Sequence, residues 1–268
     1  TATVESTPLI CASIMSKKLA EGIDALVLDV KFGSGAFMKD PQKAKELALA
    51  LMNIAKDNDK KIVSLLTSME QPLGKYSGNA LEIFECIEIM DNKKAMSERG
   101  YDLYEDTREL SLQLSAQMIH LSGKTKSIEE AYNLAKKILE SGAALKTFEK
   151  MCLEQGGHLK ELKRPRNKIT LKTSENGFVS TFDVEKIGLA GILMKAGRSK
   201  IDDKINPSAG IEFHVKIGDA VQDGDAIFSL HGDEPELFTE ALKILARSYT
   251  ISLQKPMAHV LIKEVLQN

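Results

Sequence analysis

Cysteine is scarce in this sequence, and no apolar run is long enough to cross a membrane. Cys11, Cys86 and Cys152 are odd in number and far apart, so they suit reduced core positions of a cytoplasmic protein. A membrane-spanning helix needs about 20 consecutive apolar residues, and no run in the 268-residue chain approaches that length. These absences argue against a disulfide framework, a cysteine zinc site and a membrane partner.

A strong excess of charge of either sign is also missing. The formal net charge is -2, with 28% charged and 43% hydrophobic residues. Such a balance gives no reason to expect a nucleic acid or an anionic membrane as a partner. The length suits one large domain or two ordinary ones.

Common catalytic and metal-binding motifs are absent too. The five histidines are His120, His158, His214, His231 and His259. Their spacing suits neither a metal site nor a paired nucleophile, and the sequence has no serine-centred elbow and no H-E-x-x-H motif. The chemistry must therefore come from other patterns.

Residues 24–40 predict a buried strand, a glycine-rich turn and the start of a helix. The apolar run from Ala25 to Val30 suits a strand that is covered on both faces of a parallel sheet. Asp40 caps an amphipathic helix predicted from Pro41 to Asp57, and a second strand follows at 61–67. This alternation predicts a right-handed parallel α/β unit.

The rest of the chain is predicted to be helical first and then mixed. Three helical segments, each closed by glycine, extend from Asp106 to Gln155, and a polar, basic linker follows at 156–167. Beyond it, short strands and two helices predict a compact α+β module at about 175–252.

The turn at 32–38 is a candidate ligand-lining loop. Ligands of open α/β sheets bind in the crevice beyond the carboxyl ends of the strands, and Gly33 and Gly35 free this turn from side-chain constraints. A dinucleotide fingerprint would need a third glycine where Met38 stands, and an acidic residue after the next strand. A ligand-lining loop and a purely structural tight turn remain as alternatives.

The first predicted helix, at about 7–20, carries a polar pair on a mainly apolar face. Ile10, Ser13 and Lys17 lie on one side at i, i+3 and i+4 spacing. A hydroxyl and an ammonium group suit the carbonyl and ring N–H of a planar heterocycle, and Phe37 could pack on that ring. The alternative is that Lys17 only reaches water while Ser13 fills space.

The loop at 71–78 is rich in turn residues and precedes a helix with Glu82 and Glu85. Backbone carbonyls and a carboxylate can together bind a hard cation through oxygen. The alternative is a capped turn with solvated glutamates.

Residues 218–225 have the G-D-x-V-x-x-G-D pattern of swinging-arm carrier domains. Lys195 would then be the acceptor lysine. It lies in an apolar helical segment rather than at a hairpin tip, so we favour a structural hairpin.

Four segments carry a resemblance to a known family: TATVESTPLICASIMSKKLAEGIDALVLDVKFGSGAFM, LLTSMEQPLGKYSGNALEIFE, LSGK and ENGFVSTFD. Through them the sequence closely resembles the thymidine phosphorylase and pyrimidine-nucleoside phosphorylase family. It implies an α/β fold with a mostly parallel sheet flanked by helices. Residues 1–21 would be the remnant of a helical domain, 22–165 an incomplete α/β domain, and 175–252 a C-terminal α+β module.

The resemblance also implies a reaction, the reversible phosphorolysis of pyrimidine nucleosides. Phosphate attacks the anomeric carbon and releases the free base and (deoxy)ribose 1-phosphate. Thymidine, deoxyuridine and uridine are the candidate substrates of this pentosyl transfer, and phosphate is the co-substrate. The family leads us to expect a homodimer without an organic cofactor.

Five base-binding residues are implied by the family's motifs. The serine and lysine of the A-S-I-x-x-x-K segment hold the base, and they correspond to Ser13 and Lys17. Val4 and Ile10 match apolar positions near the base, and Phe37 matches one wall of its pocket.

A potassium-type ion is implied as well. In the pyrimidine-nucleoside phosphorylase branch, residues matching Leu73 and Tyr76 hold the ion through their carbonyls, and a residue matching Glu85 holds it through its carboxylate. Tyr76 departs from the small residue that is usual at its position.

The family's phosphate-binding residues have no counterpart in the sequence. Its K-H-S-T-G-G loop and the arginine of R-D-V-T would precede Thr1. Phosphorolysis needs N–H, hydroxyl and cationic groups around the phosphate. We therefore expect the chain to be the C-terminal part of a phosphorylase, with no catalytic residue of its own and no activity alone. The alternatives are a phosphoribosyltransferase of related architecture, such as anthranilate phosphoribosyltransferase, and a non-catalytic carrier-like module.

Overall fold

The computed structural model describes residues 6–267, which form two compact units. The first unit contains the chain up to Met69, Glu109–Lys136 and the segment from Val260 onwards. The second contains Glu70–Arg108 and Lys137–His259.

The described residues form eight α-helices and ten strands. Helices α1 to α8 span Thr7–Ala20, Pro41–Asp57, Asn79–Met90, Glu105–Leu121, Ile128–Glu140, Ala143–Glu154, Val184–Leu193 and Phe238–Leu245. Strands β1 to β10 span Ala25–Phe32, Lys61–Ser68, Tyr76–Ser77, Asn167–Lys172, Gly177–Phe182, Gly210–Phe213, Ala220–Val221, Ala226–Gly232, Tyr249–Ser252 and Ile262–Gln267.

The first unit is built on the parallel pairing of β1 with β2, which confirms the predicted α/β unit. The register runs without a break from Ala25 opposite Lys61 to Phe32 opposite Ser68. A third strand, β10, was not predicted; it pairs antiparallel with the other edge of β2. Because β2 lies between two neighbours, Leu65 at its centre is fully buried.

Helix α2 packs on this sheet, and α1 packs against α2. The Asp40 carboxylate accepts a hydrogen bond from the Gln42 backbone N–H at 2.6 Å, which confirms the predicted cap. Cys11 and Met15 of α1 share a hydrophobic cluster with α2 and the two strands. The buried residues of α2 recur at helical spacing; they are Ala44, Leu47, Ala48, Leu51, Met52 and Ala55. Burial of these side chains, at about 25 cal/mol per Å² of apolar surface, holds both helices in place.

The second unit contains a four-stranded sheet, in the order β3-β6-β8-β4, and a three-stranded sheet, in the order β7-β5-β9. Phe182, Phe213 and Phe228 meet at the centre of its core, with ring centroids about 6 Å apart. Helices α7 and α8 pack against each other. Two strands of the larger sheet, β3 and β4, lie outside the range predicted for the α+β module.

The α/β class with a C-terminal α+β module is confirmed. The three helical segments of the middle region correspond to α4, α5 and α6, and each is followed by a glycine with positive φ, namely Gly123, Gly142 and Gly156. Within residues 6–267, no helix is long and apolar enough to span a membrane.

Close approach of two backbones makes Gly78 a sensitive position. Its φ is +135°, and a Cβ there would lie 2.5 Å from the carbonyl oxygen of Ala209. We expect Gly78→Ala to lower the free energy of unfolding by about 3 kcal/mol or more, because strain adds to overlap with backbone atoms. Urea unfolding followed by circular dichroism would measure the loss.

Gly224→Ala is the matched control in the same unit. Its φ is +90°, but a Cβ there meets no atom within 4 Å, so only the strain of about 1–2 kcal/mol is expected. Equal losses for the two variants would contradict the assignment of overlap at Gly78.

Candidate functional site

The polar pair predicted on the first helix is present. Lys17 Nζ donates a hydrogen bond to Ser13 Oγ at 3.3 Å, and both side chains are exposed on α1. The opposite side of the helix is anchored in the core by Cys11 and Met15. The pair is therefore held on a fixed scaffold without taking part in the packing of the helix.

The apolar residues predicted near the pair have different positions. Ile10 is half-buried and packs against the same core cluster as Met15. Val4 lies outside the described residues. Phe37 lies on the turn after β1 with 81% of its surface exposed. Among the described hydrogen bonds and ring contacts, none joins Phe37 to the α1 pair.

The turn that carries Phe37 is closed by backbone hydrogen bonds. Gly33 has a φ of +114°, and its N–H bonds the carbonyl of Met38 at 3.1 Å. The Gly35 N–H bonds the carbonyl of Met69, just past the end of β2, at 3.1 Å. Because these backbone groups are hydrogen-bonded, the exposed Phe37 lies on a defined loop at the carboxyl ends of two parallel strands.

A polar cluster at the same end of the sheet was missed by the sequence analysis. Lys31 Nζ bonds Asp29 Oδ2 at 2.6 Å and Thr67 Oγ1 at 3.0 Å, and the Thr67 hydroxyl donates to Asp29 Oδ1. Lys31 stands directly opposite Thr67 in the parallel register. The D-x-K spacing within an apolar strand puts both side chains on one face, and this was the signal that could have revealed the cluster.

Glu85 is the centre of the candidate cation site in the second unit. The residue is only 4% exposed, and its carboxylate accepts three hydrogen bonds within the described chain. Lys75 N and Tyr76 N donate to Oε2 at 2.8 and 3.1 Å, and Thr107 Oγ1 donates to Oε1 at 2.7 Å. The alternative of a solvated glutamate at this position is excluded.

The surroundings of Glu85 fit an oxygen-bound cation. The N–H and C=O of one strand residue point to the same edge, so the Tyr76 carbonyl faces the edge on which its N–H meets Glu85. A Cβ at Gly74 would lie 1.9 Å from Glu85 Oε1. Any larger residue at position 74 would therefore overlap with the carboxylate. Carbonyl and carboxylate oxygens are the ligands that hard cations prefer. None of the described hydrogen bonds involves the Leu73 carbonyl, so its role as a cation ligand stays a prediction.

Burial alters the proton affinity of Glu85. Desolvation raises the pKa of its carboxyl to about 6, and the hydrogen bonds from Thr107, Lys75 and Tyr76 oppose this rise. The carboxylate is therefore mostly ionised at neutral pH and becomes protonated in mild acid.

The carrier-like features have structural roles. Lys195 lies just after α7 with a φ of +63°, and its ammonium forms an ion pair with Glu234. As the sequence indicated, Lys195 does not lie at a hairpin tip. Asp219 and Asp225 of the G-D repeats are hydrogen-bonded to Tyr101 and Arg99.

An open groove of about 400 Å³ in the second unit contains none of the predicted site residues. It is lined by Ile83, Phe148, Cys152, Gly157, His158, Leu159, Glu161 and Leu162. Its lining is mainly apolar, and the polar groups needed to orient a heterocycle are few there.

Two models of protein families match the sequence. Residues 1–145, more than half of the 268, match the glycosyl transferase family, a/b domain. The chain therefore belongs to this glycosyl transferase family. Residues 178–252 match the pyrimidine nucleoside phosphorylase C-terminal domain.

Curated relatives are similar along nearly the whole chain. The pyrimidine-nucleoside phosphorylase of Staphylococcus haemolyticus (strain JCSC1435) is 37% identical over 260 residues, which are 95% of this chain and 58% of that protein. The pyrimidine-nucleoside phosphorylase of Staphylococcus aureus (strain bovine RF122 / ET3-1) is 37% identical over 258 residues, 94% of this chain and 57% of that protein. The chain thus spans less than two thirds of these relatives. The matches confirm the resemblance to the pyrimidine-nucleoside phosphorylase family.

The raised pKa of Glu85 makes stability depend on pH in a defined direction. The folded state holds this proton more tightly than the unfolded state, whose carboxyl has an ordinary pKa near 4.5. The contribution of Glu85 to stability is fully present below pH 4.5 and is lost as the pH rises through about 6. Between pH 4 and 7 we expect the wild type to lose about 2 kcal/mol more unfolding free energy than Glu85→Gln. Urea titrations at both pH values measure this difference.

Glu82→Gln supplies the control, because Glu82 is an exposed carboxylate on the same helix. Its pH dependence should follow that of the wild type. A Glu85→Gln protein with the wild-type pH dependence would refute the assigned shift.

Proposed function

We propose that this chain holds the pyrimidine base in a nucleoside phosphorylase that catalyses reversible phosphorolysis. The observation that carries the proposal is the Ser13–Lys17 pair, which is exposed on a helix whose other side is fixed in the core. The α/β glycosyl transferase match and the names of the relatives support a pentosyl transfer. The match to the C-terminal domain favours a phosphorylase over a phosphoribosyltransferase.

The chemistry assigned to the pair follows from where charge develops. A phosphate oxygen bonds to the anomeric carbon while the bond from that carbon to the base nitrogen breaks, and the electron pair of that bond stays on the base. The Lys17 ammonium and the Ser13 hydroxyl would donate hydrogen bonds to the base oxygens that take up this charge. Such bonds strengthen in the transition state and therefore accelerate the reaction.

Phe37 completes the proposed base site of the first unit, and a cation is assigned separately to the second unit. Phe37 offers an aromatic face to the base, and its exposure of 81% leaves that face accessible. A potassium-type ion would be held by Glu85 with the carbonyls of Leu73 and Tyr76; such an ion supplies a fixed positive charge and an anchor for the loop.

Substrate range and assembly belong to the same proposal. We assign thymidine, deoxyuridine and uridine as substrates, phosphate as co-substrate, a homodimer as the working form and the cytoplasm as its location. The phosphate-binding residues are assigned to a segment beyond these 268 residues. No organic cofactor is assigned.

The Lys17 ammonium should dominate base binding. Loss of a charged hydrogen bond costs about 1.5–3 kcal/mol, so in the full-length protein Lys17→Met should weaken thymine or uracil binding about ten- to hundredfold. Ultraviolet difference titration measures the dissociation constant.

Lys18→Met is the control, because Lys18 is the neighbouring residue and pairs with Glu21 at 3.1 Å. It should bind the base within twofold of the wild type. An unchanged dissociation constant for Lys17→Met would exclude the proposed base contact.

Phosphorolysis itself is tested in the 268 residues alone and in the full-length protein. The 268 residues alone should release no thymine from thymidine in the presence of phosphate, because the proposed phosphate site is not among them. The full-length protein should release thymine and form deoxyribose 1-phosphate, which chromatography detects. Release by the 268 residues alone would overturn the assignment of the phosphate site, and a full-length protein without activity would overturn the function.

A further inference from the structure

One buried lysine of the second unit has a role that neither the packing nor the base site explains. Lys216 is only 9% exposed, and its ammonium donates three hydrogen bonds, each 2.7 Å long. The acceptors are the carbonyls of Pro72 and Gly74 and the carboxylate oxygen Oδ2 of Asp106. Three acceptors match the three protons of an ammonium group, as a buried charge requires.

The contacts of Asp106 extend this arrangement. Its other oxygen, Oδ1, accepts the N–H of Gly74 and the N–H of Thr107, both at 2.9 Å. Gly74 is therefore held at its carbonyl by Lys216 and at its N–H by Asp106. The side-chain oxygen of Gln71 accepts the N–H of Ile217 at 2.9 Å, so both ends of the segment 71–74 are fastened to residues 216–217.

The ammonium uses carbonyls different from those of the proposed cation site. Lys216 bonds the carbonyls of Pro72 and Gly74, whereas the carbonyls of Leu73 and Tyr76 are assigned to the exchangeable ion. The two sets alternate along one short segment. The Lys216 ammonium therefore fixes the same backbone segment that carries the carbonyls assigned to the exchangeable ion.

We propose that Lys216 is a positioning residue for the monovalent-cation site. Its ammonium fixes the segment 71–74 in the conformation that the ion requires, so the ion does not have to order the loop when it binds. The inference rests on the proposed function, because the cation site is part of it. The paired Asp106 carboxylate offsets the lysine charge, so the site is shaped without a net repulsion of the ion.

This role has an electrostatic signature. If Lys216 acted only through its charge, replacing it with Met would remove a nearby positive charge and strengthen cation binding. If Lys216 positions the loop, Lys216→Met should weaken cation binding instead. In that variant the ion has to order the loop when it binds, which lowers its affinity. The direction of the change in cation affinity therefore separates the two explanations.

The experiment measures potassium binding at the loop in the full-length protein. Hydrogen–deuterium exchange of the amides of Gly74, Lys75 and Tyr76 is followed as KCl is titrated against choline chloride at constant ionic strength. In the wild type, potassium should slow exchange of these amides. In Lys216→Met, the half-saturating potassium concentration should rise at least tenfold, while thymine binding changes less than twofold.

Lys168→Met is the matched control. It removes an ammonium from the same unit, where Lys168 pairs with Glu212 at 2.7 Å, and it should leave potassium binding within twofold of the wild type. The double variant Lys216→Met/Asp106→Asn is used if Lys216→Met does not fold; it removes both charges of the pair, leaves no unpaired buried carboxylate and keeps an oxygen for the Gly74 N–H. It should also raise the half-saturating concentration.

Each outcome decides the inference. Unchanged or tighter potassium binding in Lys216→Met, or in the double variant if the single variant does not fold, overturns the positioning role while leaving the cation site in place. Exchange that does not respond to potassium in the wild type overturns the cation site and this inference together. Thymine binding and phosphorolysis are measured independently, so they show whether the proposed function fails as well.

Discussion

The direct parallel pairing of β1 with β2 is the constraint on which the candidate base site depends. It brings Phe32 opposite Ser68, and this places Met69 where its carbonyl closes the glycine turn through the Gly35 N–H. The same two strands provide the apolar surface on which α2 packs, and α1 packs in turn against α2. A shift in register would therefore displace both the Phe37 turn and the helix that carries Ser13 and Lys17.

Local patterns were sufficient for the elements whose determinants are close in sequence. The Asp40 cap, the apolar period of α2 and the glycine after each of the middle helices were all readable. Strand β10 could not be predicted from its own sequence, IKEVLQ. Its conformation depends on pairing with β2, nearly 200 residues earlier in the chain. The two-residue strand β3 was missed for the same reason, since its partner β6 lies far along the chain.

The candidate sites divide in a similar way. Ser13 and Lys17 are one helical turn apart, so their contact follows from helical spacing. Glu85 was found through the resemblance, but its burial and its three donors depend on Thr107 and on the loop before β3. Lys216 gave no signal, because its acceptors are contributed by residues more than 100 positions away. Tertiary contacts of this kind are invisible to periodicity.

The place of β10 in the chain has a consequence for biosynthesis. The sheet of the first unit takes β1 and β2 from residues 25–68 and β10 from residues 262–267, and the whole second unit lies between them in the sequence. A ribosome delivers β10 after the second unit has been made, at about 5–20 residues per second. Until then one edge of β2 exposes unpaired N–H and C=O groups that could pair with another chain. The nascent protein thus passes through an interval of roughly 10–40 seconds in which this edge is open, and a chaperone bound to the nascent chain would keep such chains apart.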